Sequence, residues 1–512
     1  MSTHTIVVGS GSSGGALAAR LTEDADQQVT LIEAGPDYTS VDVTPDDIRD
    51  AGEVSTSKHD WGLKAYFLEP PDTREPQIYA RGRVVGGSSS VNGAVAHRGT
   101  VDDFTAWAAA GHDEWSWEKV QPYYRRVETD LDYGSNADHG GDGPIPVRRY
   151  PREEWPPAAR AFEKSLVDRG FPVIEDNNGA GATGFGPAAR NLIDDMRAST
   201  LLTYLSDARE RPNLTILSDT PCLRVVFDGT TAVGVEIDRG NGPEVLRADR
   251  VVLCAGAVHS PQLLMLSGVG PAETLSRFGI APIVINEAVG QNFKDHPLAP
   301  VVSLIPATPH HGIRAELKYT TPRGRELGMA DDAFVFPLVM DLASLNLPAG
   351  PGGQEAFTLL SILVKPRSLG WLTLRSADPR EQPEIHANFL GDQEDLTRVM
   401  QSVRFAHECA TSEPLASDLQ SVVAPDAETV ADDAALADWL RSVVTTGYHG
   451  VSTCRMGGDA GTSVVDQRLS VHGTDNLWVA DCSVLPDITS AATNLTAVVV
   501  GERLADWLRG RA

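Results

Sequence analysis

Cysteine is scarce in these 512 residues: Cys222, Cys254, Cys409, Cys454 and Cys482, scattered and without C-x-x-C spacing. That argues against both a disulfide framework and a zinc site, and no other metal site is expected. A reduced, cytoplasmic setting is the expectation. Positive charge is short as well. Against 70 Asp and Glu stand 43 Lys and Arg, a formal net charge of -27 with a pI near 4.8. A surface of that sign repels nucleic acid and anionic lipid, so neither partner is expected. Long apolar runs are missing. The nearest, Val251 to Gly270, is interrupted by His259-Ser260-Pro261-Gln262 and reads as a buried strand and loop, not a membrane span. The N-terminus shows no basic stretch leading into an apolar one, so no signal peptide is expected.

What is present is ordinary in bulk, with 41% hydrophobic residues and a mean hydropathy of -0.18. The length exceeds one core and predicts two or more domains. The informative segment comes first. Ile6-Val7-Val8 runs into Gly9-Ser10-Gly11-Ser12-Ser13-Gly14, helical Ala16 to Leu21 follows, and Val29-Thr30-Leu31-Ile32 ends on Glu33, nineteen residues after Gly14. Glycines at that spacing allow a tight strand-to-helix turn and close approach of a pyrophosphate, which the helix N-terminus attracts. Glu33 is placed to take ribose hydroxyls and would repel a 2′-phosphate, which leaves FAD and NAD open.

Further along, Gly82 to Gly93 is glycine- and serine-rich and reads as a ligand-facing segment. Tyr133 to Pro157 has the composition of a domain crossing. Arg224 to Phe227, Ala232 to Ile237 and Arg250 to Leu253 read as strands, the first two joined at Asp228-Gly229. Ala333 to Met340 and Ala356 to Val364 are expected strands of a second domain, separated by a flexible Pro348 to Gly353. The acidic stretch Asp426 to Asp438 carries Leu436, Leu440 and Val443 near helical spacing, which predicts a solvated amphipathic helix rather than a metal-binding box. Asn494 to Leu508 is an expected terminal helix, with Asn494 in the manner of an N-cap.

Four segments together resemble the glucose-methanol-choline (GMC) oxidoreductase family, over nearly the whole chain. Gly82 to Asn92 is similar to the family's first signature and Gly256 to Gly270 to its second. Val289 to Pro297 resembles the segment linking its two domains, and Tyr448-His449-Gly450 to Met456-Gly457 its catalytic segment. The resemblance implies an α/β fold: a discontinuous Rossmann-like FAD-binding domain (1–150, 212–300 and 445–512) plus an α+β substrate domain (151–211 and 301–444) with a mostly antiparallel sheet. It favours FAD over NAD. By matching positions, Gly9, Gly11, Ser12, Ser13 and Gly14 would follow the pyrophosphate, Glu33 the ribose, and Cys222, by its backbone, the adenine. Trp61 stands where an aromatic contact is common. Ser88, Asn92 and Val95 would lie beside the isoalloxazine, with Asp481, Cys482, Leu495 and Thr496 completing the shell.

The implied reaction is FAD-dependent oxidation of a primary alcohol to the aldehyde by hydride transfer to flavin N5, the flavin then being reoxidised by O2 or another acceptor. Such a reaction needs a base for the O–H proton. His449 holds that position, Asn494 is its partner toward the substrate oxygen, and Tyr448 is a pocket wall. His97, His259, His296 and His472 read as hydrogen-bonded structural residues. The His/Asn pairing also occurs in the choline oxidase branch, which links its flavin to a His where this chain has Val91, so a dissociable FAD is expected. The alternative is a hydroxynitrile lyase-type or other non-redox activity around a structural FAD.

Overall fold

The computed structural model describes residues 2–52, 54–55, 58–70, 74–306, 312–342 and 355–511. Strand β1 (Thr3–Val8), helix α1 (Ser12–Leu21) and strand β2 (Gln27–Ile32) form the first unit. Three later strands join them: β3 (Leu214–Leu217), β4 (Arg250–Leu253), which leads into helix α2 (Gly256–Leu266), and β5 (Leu477–Val479). The sheet order is β3-β2-β1-β4-β5 and every pairing is parallel, the doubly wound arrangement in which ligands sit outside the carboxyl ends of the strands. Ile6, Val7, Leu31, Val251 and Leu253 are buried, as expected where helices cover both faces.

Helix α3 (Asn494–Leu508) closes this half against α1. It is buried from Leu495 to Asp506, and each fully buried Leu or Val contributes about 1.5–3 kcal/mol. Glu502, fully buried on this helix, is paired by Arg20 at 2.8 Å and Arg126 at 2.5 Å.

The second half is a seven-stranded antiparallel sheet. Strands Ser421–Ala424, Pro297–Leu304, Glu355–Leu363, Ala333–Asp341, Ala315–Tyr319 and Gly184–Pro187 follow one another, and Thr445–Thr446 pairs with Pro297 and Leu298. Helix Gln393–Thr411 covers its outer face with Leu396, Val399 and Val403, against Val335, Leu359 and Leu363. Strand Pro297–Leu304 lies wholly in this sheet, so a boundary drawn at residue 300 cuts it; the register of its pairing with Glu355–Leu363, not composition, sets the edge.

Two local expectations change. Val251 to Gly270 is strand then helix, not strand then loop, even though Pro261 sits inside α2. Proline leaves the carbonyl four residues back without a donor; that carbonyl belongs to Ala257 and accepts from Thr453 Oγ1 at 2.6 Å. The acidic stretch forms two helices, Ala427–Ala431 and Asp433–Val443, because Asp426 and Asp432 each cap a separate start. Leu436 and Leu440 are buried and Val443 half-buried. Pro348 to Gly353 lies outside the described residues. Among the described residues no helix is long and apolar enough to cross a membrane.

Candidate active site

One cavity of about 1310 Å³ runs from the carboxyl end of β1 to the inner face of the second sheet, larger than the ~300–1,000 Å³ of ordinary small-ligand pockets. At the β1 end each glycine has a separate cause. Gly9 takes a φ of +98°, and a Cβ there would meet the Cys254 carbonyl oxygen at 2.4 Å. A Cβ on Gly14 would stand 1.9 Å from the Gly9 oxygen, so Gly14 lets α1 pack on the turn without lining the cavity itself. Gly11 does line it and meets only the α-carbon of Gly87, at 3.8 Å. No side chain caps α1, so its first-turn amides are free for an anion.

Glu33 is 5% exposed and stands at the end of β2. Its carboxylate accepts from Ser10 Oγ at 2.7 Å, Ser10 N at 3.1 Å and Gly35 N at 3.0 Å, while burial raises its pKa. Ser12 Oγ donates to Asn494 Oδ1 at 2.7 Å and Ser13 Oγ to the Ala497 carbonyl at 2.5 Å, tying the start of α1 to α3. Cys222, Trp61, Ser88, Asn92, Val95, Asp481 and Cys482 line the same cavity. Trp61 packs on His259 at 4.3 Å between ring centroids. Asp481 accepts from Gly256 N at 2.8 Å and Ser260 Oγ at 2.5 Å. Burial pushes the Cys482 thiol up to about 12, which argues against a thiolate nucleophile.

Leu495 and Thr496 differ from expectation. Neither side chain lines the cavity: Leu495 enters the core and Thr496 bonds the Tyr124 hydroxyl at 2.7 Å. Only their backbone, at the start of α3, can face a cofactor. Asn494 is not an N-cap either. Thr493 holds the cap and Asn494 is the first helical residue, its carbonyl oxygen engaged by Ser12. The amide therefore keeps its NH2 as a donor at the cavity wall.

At the other end a carboxylate organises the loop carrying His449. Asp295 accepts from Tyr79 OH at 2.8 Å, Thr446 Oγ1 at 2.6 Å, His296 N at 2.7 Å and His449 N at 2.8 Å. Arg81 Nη1 donates to the Tyr448 carbonyl at 2.8 Å, and Tyr448 takes a φ of +60°. Tyr448 and His449 both line the cavity.

The ring of His449 has a defined tautomer. His296 Nε2 lies 3.1 Å from the Thr489 carbonyl, which can only accept, so that nitrogen carries hydrogen. His296 Nδ1 stands 2.9 Å from His449 Nδ1. Burial, with the neighbouring His449, pushes His296 down to about 3; burial, with Arg81 and His97, pushes His449 down to about 3. Both rings are neutral near pH 7, so His296 Nδ1 accepts and His449 Nδ1 donates. His449 Nε2 is left with a lone pair, and no described protein atom hydrogen-bonds it. This value is well below the near-neutral one expected of a base.

Overhead, every second residue of the two central strands turns inward: Phe334, Phe336 and Leu338, then Leu360 and Ile362. His472 is hydrogen-bonded to Ser463 and Gly457, as expected of a structural residue. Sequence reasoning missed Asp295, Arg81 and Tyr79, and read His296 only as structural. The one available signal was that Asp295-His296 lies in a recognisable segment.

The GMC oxidoreductase family models match residues 4–298 and 366–501. A 5-(hydroxymethyl)furfural oxidase of Methylovorus sp. is 34% identical over 528 residues, covering 99% of this chain and 98% of the relative. An oxygen-dependent choline dehydrogenase of Ectopseudomonas mendocina is also 34% identical, covering 99% and 94%. Among solved structures, pyridoxine 4-oxidase from Mesorbium loti superposes with a TM-score of 0.90 at 29% identity over the full length of both chains.

Proposed function

The chain belongs to the GMC oxidoreductase family, a family of FAD-dependent enzymes acting on CH–OH donors, and from that premise we propose that it oxidises a primary alcohol to the aldehyde with His449 as base. The observation that carries this reading is the lone pair on His449 Nε2, set through His296 by the Thr489 carbonyl, in the wall of a cavity whose far end is a dinucleotide cradle. The residues fit FAD: uncapped amides at α1, a carboxylate at the end of β2, and Gly11 and Gly87 leaving room between two loops. Bound FAD would supply a two-electron acceptor, N5 taking the hydride. His449 Nε2 takes the hydroxyl proton, and the Asn494 NH2 donates to the oxygen as negative charge grows there.

An aromatic or furanic alcohol suits the chamber best, because Phe334, Phe336, Leu360 and Ile362 form its wall and the lining acids, Glu33 and Asp481, stand at the cofactor end. A quaternary ammonium finds no carboxylate open to it there. The names of the relatives, an oxidase and an oxygen-dependent dehydrogenase, support O2 as acceptor. Val91, 4% exposed against Ile48 and Val84, offers no atom for a flavin bond, so FAD is dissociable and denatured protein releases it to a filtrate. The five free cysteines suit a cytoplasmic location. Anaerobic mixing with aromatic, aliphatic and sugar primary alcohols tests the function: aromatic alcohols bleach the flavin and leave the aldehyde. A flavin that no alcohol bleaches overturns it.

A further inference from the structure

An ion pair is built into the wall of this apolar chamber. His97 is 1% exposed and Glu316 fully buried, with Nε2 and Oε2 2.7 Å apart. The contact is off the line of a hydrogen bond, and neither ring nitrogen nor either carboxylate oxygen has an aligned partner. The His97 ring stands edge-on to Phe334, at 5.8 Å, and nearly parallel to Phe336, at 6.2 Å; all three line the cavity. Two charges taken out of water are compensated only when good geometry and further hydrogen bonds satisfy them. Here those further bonds are missing on the protein side, and an oxygen of a ligand would restore one. His97 also lowers the pKa of His449, so the two rings share one electrostatic neighbourhood, as one small substrate touching both would require.

We propose that His97, seated against Glu316, is a specificity-determining residue that hydrogen-bonds a second hydroxyl of the substrate, so that the enzyme selects aromatic primary alcohols bearing another O–H on the ring. The proposal rests on the alcohol-oxidation reading of the same chamber. Glu316 draws the ring proton to Nε2, and a neutral ring then offers Nδ1 as acceptor to a ligand O–H. A polar site of this kind discriminates against an analogue that lacks the group it was built to bond.

The test compares 4-hydroxybenzyl alcohol with 4-methoxybenzyl alcohol on the holoenzyme. Both rings are electron-rich, and only the first has the second O–H. The native protein prefers the hydroxy compound in kcat/KM by at least about tenfold, His97→Phe brings the ratio to about one, and His97→Gln, which keeps an acceptor, restores part of it. A native ratio near one overturns the proposal, as does a preference that survives His97→Phe. Should His97→Phe fail to hold FAD, Glu316→Gln decides by the same ratio: a reduced preference supports the proposal and an unchanged one overturns it. If neither alcohol reduces the flavin, the alcohol-oxidation reading fails by itself. The proposal is then decided by equilibrium binding of 4-hydroxybenzaldehyde against 4-methoxybenzaldehyde, with the same expected ratio.

Discussion

His139 and His449 carry the same ring and are both withdrawn from bulk water, yet they end at opposite extremes of protonation. Around His139 stand Glu128 at 2.9 Å, Asp130 at 3.0 Å and Asp176 at 2.9 Å. Burial lowers its pKa, and the hydrogen bonds to Asp130, Asp176 and Glu128 more than reverse this, pushing it up to about 10. His449 meets a neutral ring and feels Arg81, so burial has no opposition. The neighbours, not depth, decide the charge. The two regions differ in use as well. Glu128, Asp130 and His139 lie close enough to hold a cation, but Arg98, Arg149 and protonated His139 supply the positive charge themselves. One histidine locks a fold; the other has a free lone pair.

The largest expected effect separates these roles outright. His449→Ala slows anaerobic flavin reduction by roughly 10³-fold while the flavin spectrum of the bound cofactor persists; turnover near the native rate would remove the proposed base. Next comes the locked region. His139→Gln leaves three buried carboxylates under-compensated and lowers unfolding free energy by about 3 kcal/mol, measured by urea titration, with flavin reduction per bound FAD unchanged. A smaller effect belongs to His296→Phe, which removes the acceptor fixing the His449 tautomer. It costs roughly ten- to a hundredfold in reduction rate by analogy with removal of the orienting partner in a catalytic triad, and retained FAD separates this from unfolding.

The smallest effect is in the pH dependence of thermal stability, and its sign differs between the regions. His139, raised to about 10, contributes stability that is complete below its unfolded pKa near 6.5 and fades as pH climbs through 10. His296 and His449, lowered to about 3, contribute stability that is present above 6.5 and fades as pH falls toward 3. Melting scans should therefore show His139→Gln flattening the alkaline limb only and His449→Ala softening the acid one only; a swap of limbs would contradict the assignment.

Much of the cofactor half is legible in the order of residues, because β1, the glycine turn, α1 and β2 are adjacent in sequence and each glycine answers a local steric demand. The inward face of the second sheet is legible too, since alternation assigns Phe334 and Phe336 to one side and Val335 to the other. What escapes is set by partners far along the chain. The helix through Pro261 depends on Thr453, the cap position of Asn494 on Ser12, and the proton on His449 on Thr489 and His296. No local pattern carries those dependencies. Leu495 and Thr496 show the limit of position matching, which locates a backbone but not the direction of a side chain.

The hydrogen bond from Ser12 to Asn494 spans 482 positions, and it constrains when the protein can be made functional. The glycine turn leaves the ribosome early, but its anchor on α3 is among the last parts synthesised, and β5 arrives only shortly before. N-terminal elements ordinarily fold first during synthesis. Here the nascent chain must wait with an unfinished cradle, so flavin loading is a post-translational event.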